Sequence, residues 1–187
     1  MSNTPLSQAD IQSVDRMIGP EGKELPPGAA MGSIYSIVYQ PADREYRSRS
    51  SEGFIRVPVQ QANLIAGHGI EGDRKAGHHA ERQVNLLSRE WLLRIQDAGY
   101  RISPGQFGEQ ITLVDIDLDH VKRGERLQLG DTACIEISQA RHPCSRLQVV
   151  QQLPFEGLKA VGLMATVITG GTIRVGDPVI RLQSVDV

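Results

Sequence analysis

Gly67-His-Gly-Ile-Glu-Gly72-Asp-Arg-Lys-Ala-Gly77-His-His79 is the stretch that decides the fold class. Its first six residues satisfy G-x-G-x-x-G, and an apolar stretch precedes them, so a dinucleotide-binding βαβ unit is the alternative to test. That fingerprint works only when a helix follows at once, because the helix N-terminus holds the pyrophosphate. Here the charged run Asp73-Arg-Lys75 and another glycine follow, and the next patterned segment, Gln83 to Leu87, reads as a strand. Dinucleotide binding is rejected on that ground.

Working outward, the chain reads mostly as strands. Upstream lie Ser33 to Tyr39, rich in Ile, Val and Tyr, and Phe54 to Val59, separated by a polar, charged loop over 40–53. Downstream come Gln110 to Val114, Arg126 to Leu129, Thr132 to Ser138 and Val179 to Leu182, with Gly130-Asp131 as a tight connection. Ala165-Thr-Val-Ile-Thr169, Gly170-Gly171 and Thr172-Ile-Arg-Val175 predict a two-residue hairpin with a type I′ turn. Two short helices stand between strands. Ser88 is placed to cap the first, with Glu90 in its first turn, Trp91, Leu92 and Ile95 on one face and Gly99 past its end. The second runs from Ser145 to Leu153, with Leu147, Val150 and Leu153 at helical spacing. Many short strands, few helices and no alternating βα pattern predict a mostly β fold, a β-barrel with a few short α-helices.

Bulk properties bound the rest. The 187 residues suit one domain with a full core plus a tail. Residues 1–30, with one helix candidate from Ser7 to Met17 and then a Gly- and Pro-rich run, form that tail or linker; 31–187 form the barrel domain. A net charge of −2 gives no reason to expect nucleic acid or an acidic membrane as partner. The N-terminus lacks the basic and apolar regions of a signal peptide, and no apolar run is long enough to span a membrane. Two cysteines make no disulfide framework, which fits a reducing cytoplasm.

Of those two, Cys134 falls inside a strand and reads as structural. Cys144 lies in Ala140-Arg-His-Pro-Cys-Ser-Arg-Leu147, where Pro143 enforces an extended approach and the second helix begins just after the cysteine. The helix end and Arg141, His142 and Arg146 all favour a thiolate, the form needed by a nucleophile or a soft-metal ligand. A second constellation is the basic glycine loop. Glycines 67, 69, 72 and 77 allow close backbone approach, and Arg74, Lys75, His78, His79 and Arg82 supply charge suited to a phosphate or other oxyanion. A solvated loop with Asp73 and Glu81 pairing internally is the equal alternative. Asp115-Ile-Asp-Leu-Asp119 opens like a calcium loop, but His120 and Arg126 stand where glycine and glutamate are required. Zinc-ligand spacing is absent.

Six segments in order resemble the MOSC domain, the C-terminal module of molybdenum cofactor sulfurases that also occurs as stand-alone bacterial proteins. They are Gly69-Ile-Glu-Gly-Asp-Arg74; Arg82-Gln-Val-Asn-Leu-Leu-Ser-Arg-Glu90; Pro104-Gly-Gln-Phe-Gly-Glu109; Gly124-Glu-Arg-Leu-Gln-Leu-Gly130; Arg141-His-Pro-Cys144; and Gly162 to Asp177. The resemblance implies a β-barrel and a single cysteine, here Cys144, that handles sulfur or ligates molybdenum in the molybdenum cofactor (molybdopterin). It implies reduction of N-hydroxylated compounds or, alternatively, carriage of persulfide or cofactor to other metal-sulfur enzymes. Gly72, Asp73, Arg74, Lys75, Arg82, Arg141 and Arg146 are then the expected cofactor-binding residues, and Glu109 a candidate for proton delivery. Gln110 stands where the family often has asparagine. Expected partners are the small-molecule cofactor or substrate, an electron-transfer protein or a cysteine desulfurase, and a second copy of the chain as a homodimer. Pyridoxal phosphate belongs to a separate desulfurase domain in fused relatives, so none is expected here.

Overall fold

The computed structural model describes residues 31–43, 54, 56–154 and 158–182. The proposed tail with its Ser7 to Met17 helix and most of the 40–53 loop lie outside them. Among the described residues, eleven strands and two helices follow in the order β1 (Met31–Tyr39), β2 (Val57–Val59), β3 (Gln61–Ile65), β4 (Gly69–Ile70), β5 (Val84–Ser88), α1 (Arg89–Gln96) and β6 (Ile111–Val114). Then come β7 (Arg126–Leu129), β8 (Ala133–Ala140), α2 (Ser145–Gln151), β9 (Leu163–Thr169), β10 (Gly171–Arg174) and β11 (Pro178–Leu182).

Seven strands close into a barrel in the order β11-β7-β8-β9-β5-β6-β1, with β1 returning to β11 and β2 extending the far end of β1. β1 manages this by serving three partners along its length. Met31 to Ser33 pair with β11, Ser33 to Ile37 with β6 and Ile37 to Tyr39 with β2. A register shift between Ile34 and Ser36, and two more in the β8–β9 ladder, supply the bends that closure requires. Every barrel pairing is antiparallel except β5–β6. Those two run parallel because α1 crosses over between them. Ser88 caps α1, its hydroxyl oxygen accepting from Trp91 N at 3.1 Å, as the sequence predicts.

The barrel interior is almost wholly aliphatic, with Ile34, Ile37, Leu86, Ile111, Leu113, Leu127, Ile135 and Val179 buried together. β5 is buried on both faces. Leu86 points into the barrel, while Leu87 joins a second cluster outside it with Leu92, Phe107, Leu147 and Val161. Trp91 meets Phe107 edge-on with ring centroids 5.2 Å apart. This outer cluster fastens both helices and the 100–109 loop to the barrel wall. Among the described residues no helix is long and apolar enough to cross a membrane.

The G-x-G-x-x-G stretch contains β4 and then turns, with no helix before β5, so the rejection of the nucleotide-binding fold holds. The apolar residues ahead of it form β3, a strand absent from the sequence reading. β2 covers only Val57–Val59 of the expected Phe54 to Val59, and α2 stops at Gln151, where Gln152 turns left-handed (φ 56°). One expectation is overturned. β9 and β10 do not form a hairpin: β9 belongs to the barrel, and β10 pairs with β3 in a separate three-stranded sheet, β10-β3-β4. Neither Gly170 nor Gly171 has positive φ, so no type I′ turn forms. The glycines serve close approach instead. A Cβ on Gly170 would lie 2.7 Å from Leu64 O, and one on Gly171 would press on the Thr132 hydroxyl. The chain therefore passes from one sheet to the other at Gly170 without a type I′ turn.

Candidate functional site

Asp73 organises the basic loop. Its carboxylate is almost entirely buried and accepts from Lys75 N at 2.8 Å and Gln40 N at 3.1 Å. Arg74 N donates to Gln40 O, Ala42 N donates to Gly72 O, and Pro41 bridges to Asp73. These bonds seam the Gly72–Ala76 turn to the segment leaving β1. Asp73 thus holds the loop's shape, and Gly72 contributes backbone. The carboxylate also meets Arg56 Nη1 at 3.3 Å, in an ion pair whose side chains are 4% and 1% exposed.

The second component is the Pro104–Glu109 turn. Glu109 is wholly buried; its two oxygens accept from Gly105 N and, at 3.1 Å, from Phe107 N. Burial raises its pKa, while the backbone amides of Gly105 and of Glu109 itself, and then Arg56 and Arg141, oppose the rise. Its contacts fit a residue that shapes the turn. Gln110, also buried, accepts from Asn85 N at 2.9 Å, so its amide locks the start of the parallel β5–β6 pair. Gly108 (φ 76°) holds a left-handed conformation and leaves little room: a Cβ there would lie 3.0 Å from Arg141 Nη2 and 3.2 Å from the Phe54 ring.

Cys144 stands where the third component begins. It is exposed, with extended backbone (φ −126°, ψ 161°), at the N-cap of α2, and its side chain makes no capping bond. The sequence placed it there correctly. Leu147 and Val150 hold α2 down through burial. Cys134, by contrast, sits in β8 and burial raises its thiol pKa, in keeping with a structural role.

Arg141 links the components. It is buried, with Nη1 reaching Val161 O at 3.4 Å, and burial weakens its hold on its proton while the charges of Glu109 and Cys144 strengthen it. Arg56 and Arg82 act on it in the opposite sense. Lys75 is exposed as a residue, yet its pKa is lowered, first by partial burial of the ammonium and then by Arg56, with Arg141 and Arg82 adding to the effect and Asp73 opposing it. Four cationic groups (Arg56, Lys75, Arg82 and Arg141) therefore face two carboxylates, Asp73 and Glu109, beside one thiol. A surplus of positive charge in partly desolvated surroundings attracts anions.

The structure brings together Asp73, Lys75, Arg82, Glu109, Arg141 and Cys144 from the predicted set. Arg74 and Arg146 flank this group. Arg74 Nε is buried, and the Arg146 guanidinium lies over the Phe54 ring at 5.7 Å. The sequence reading missed Arg56, Gly108 and Phe54. An arginine inside an apolar strand candidate, Phe54-Ile-Arg-Val57, was the available signal for Arg56. Its partner is 17 residues away, so nothing local marked the pair. Among the described residues no three His, Cys, Asp or Glu side chains gather as a metal-binding group.

Solved structures with the same fold include YuaD from Bacillus subtilis, at TM-score 0.64 and 18% identity over 83% of this chain and 98% of that one. YiiM from Geobacillus stearothermophilus is similar at TM-score 0.61 and 25% identity, covering 82% of this chain and 75% of that one. YiiM from Escherichia coli aligns at TM-score 0.59 and 20% identity, covering 82% and 71%. No curated protein sequence matches. The MOSC domain matches residues 72–180, more than half of the chain, and takes in Asp73, Lys75, Arg82, Glu109, Arg141 and Cys144. The chain belongs to the MOSC domain family.

Proposed function

We propose that this site binds the molybdenum cofactor through Cys144 and that the protein reduces N-hydroxylated compounds. The observation that carries the reading is an exposed thiol set beside a surplus of cationic side chains. The donor chemistry fits. A thiolate is a soft ligand suited to a metal that cycles through reduced states. With no protein-only metal cluster among the described residues, the metal's other donors would come from the pterin dithiolene. Lys75, Arg82 and Arg141 supply the charge that the pterin phosphate needs, and a forked guanidinium matches phosphate oxygens in geometry.

When bound, the cofactor supplies a two-electron redox couple. Removing oxygen from an N–OH group takes two electrons and two protons and yields the amine and water, so a separate redox protein must deliver the electrons. Arg141, itself buried, fixes the cationic floor next to Cys144. Glu109 keeps the Gly105–Phe107 turn in shape beneath it.

The test is metal and pterin content after expression with the cofactor pathway, for wild type and Cys144→Ser. Near-stoichiometric molybdenum in the wild type should be largely lost in the variant, since serine lacks the soft sulfur donor. No molybdenum in either protein would overturn the reading. A second reading, carriage of a persulfide on Cys144, is favoured by one observation: the thiol is exposed and free of any capping bond, open to a cysteine desulfurase. Mass spectrometry of Cys144 after incubation with such an enzyme and cysteine tests it.

A further inference from the structure

Arg56 lies outside every motif that marks the site, yet its contacts reach two of the site's components at once. Nη1 meets Asp73 Oδ2 at 3.3 Å in the basic loop, and Nη2 donates to Gly108 O at 2.9 Å in the Pro104–Glu109 turn. Its alkyl stem packs so closely on Gly105 that a Cβ there would lie 2.7 Å from Arg56 Cβ. Asn85 Nδ2 approaches the same Gly108 carbonyl at 3.4 Å, so β5 is tied in as well. The side chain is 4% exposed, which keeps it back from a ligand in solvent reach.

From this bridging geometry we infer that Arg56 is the positioning residue of the site, a two-pronged clamp that sets the Asp73 loop against the Gly108 turn. The clamp holds Lys75, whose amide donates to the same Asp73 carboxylate, in register with Arg141, whose guanidinium lies against Gly108. The planar fork meets the two acceptors with two separate nitrogens in a fixed geometry, whereas an ammonium keeps the charge but has a single nitrogen to place between them. A neutral aliphatic would leave Asp73 as a buried unpaired charge. The inference rests on the site being one that binds an anion, but not on molybdenum.

Arg56→Lys and Arg56→Gln separate geometry from charge. Two readouts are taken on the full chain: binding of inorganic phosphate, followed by NMR shifts of the Lys75 and Arg82 amides, and titration of the Lys75 ammonium. The charged groups facing Lys75 are Arg56, Asp73, Arg141 and Arg82. Both variants should weaken phosphate binding by about tenfold, the effect expected of a group that orients others. Arg56→Gln alone should also raise the Lys75 pKa, since a repelling cation is gone. Phosphate binding as tight in Arg56→Lys as in the wild type would overturn the clamp and leave only a charge. If the wild type binds no phosphate, the anion-binding part of the proposed function fails, and Arg56 is then judged on backbone exchange. Lys75 and Gly105 amides exchanging faster together in Arg56→Lys would support the clamp; unchanged exchange would sink it.

Discussion

The barrel interior and the outer cluster are both apolar and both closed to water, but they are held together by different means. Inside the barrel, strand neighbours are fixed by continuous backbone ladders, and β1 returning to β11 leaves the ring no open edge. Outside it, α1, α2 and the 100–109 loop are joined by side chains: the Trp91–Phe107 edge contact, Gln151 Nε2 donating to Arg101 O and Gln106 O, and Tyr100 Oη donating to Pro154 O. Hydrogen-bonded rings resist local opening, and side-chain-pinned loops do so less well. Cys144, at the N-cap of α2, stands on the second kind of structure. Stability is concentrated in the ring, whereas the Pro104–Glu109 turn stands with Cys144 on the outer cluster.

The largest effects should come from the ring. Leu127 is wholly buried among aliphatic side chains in the barrel, and the closed ring has little freedom to collapse around a gap. Leu127→Ala is expected to lower unfolding free energy by about 4 kcal/mol, toward the upper end for such truncations. All barrel amides should lose exchange protection together. Phe107→Ala removes a larger side chain, but from the outer cluster, where the loop and helices can settle inward. A loss of about 3 kcal/mol is expected there. Exchange should quicken first at the α2 amides of Leu147 and Gln148, ahead of the barrel. If both variants showed the same exchange pattern, the barrel and the outer cluster would form one cooperative unit rather than two.

The same division explains what could be read from the sequence. β7 and the Ser88-capped helix follow local rules of alternation and capping, and both were found at or near their observed bounds. Cys144 was legible because proline before it and a helix after it are local signals. The Gly170-Gly171 step was misread because turn chemistry and close approach both demand glycine, and only the neighbours Leu64 and Thr132 decide between them. The family resemblance implies a cofactor-binding role for Asp73 and proton delivery for Glu109. Their observed partners are backbone amides and, for Asp73, Arg56 as well. Such a role depends on loop shape, which residue type does not encode. Arg56 was invisible for the opposite reason: its two partners are 17 and 52 positions distant.

The smallest effect is the one that bears most directly on the site. Lys75 has its pKa held below the ordinary 10.5 by burial and by Arg56, Arg141 and Arg82, so the folded state binds that proton less tightly than the unfolded chain does. The unfolded state therefore carries more protons between the two values, and stability rises with pH across that window. Below it, charged Lys75 opposes folding. Lys75→Gln should accordingly be more stable than the wild type at pH 7, by no more than a few tenths of a kcal/mol because solvent screens a partly exposed ammonium. Melting curves at pH 7 and 10.5 should show that advantage shrinking at the higher pH. Phosphate binding should weaken in the same variant, since the charge that strains the fold is the one offered to the anion. A Lys75→Gln protein that is less stable at both pH values by the same amount would mean that the ammonium is a packing element, and that the cationic surplus beside Cys144 imposes no strain on the fold.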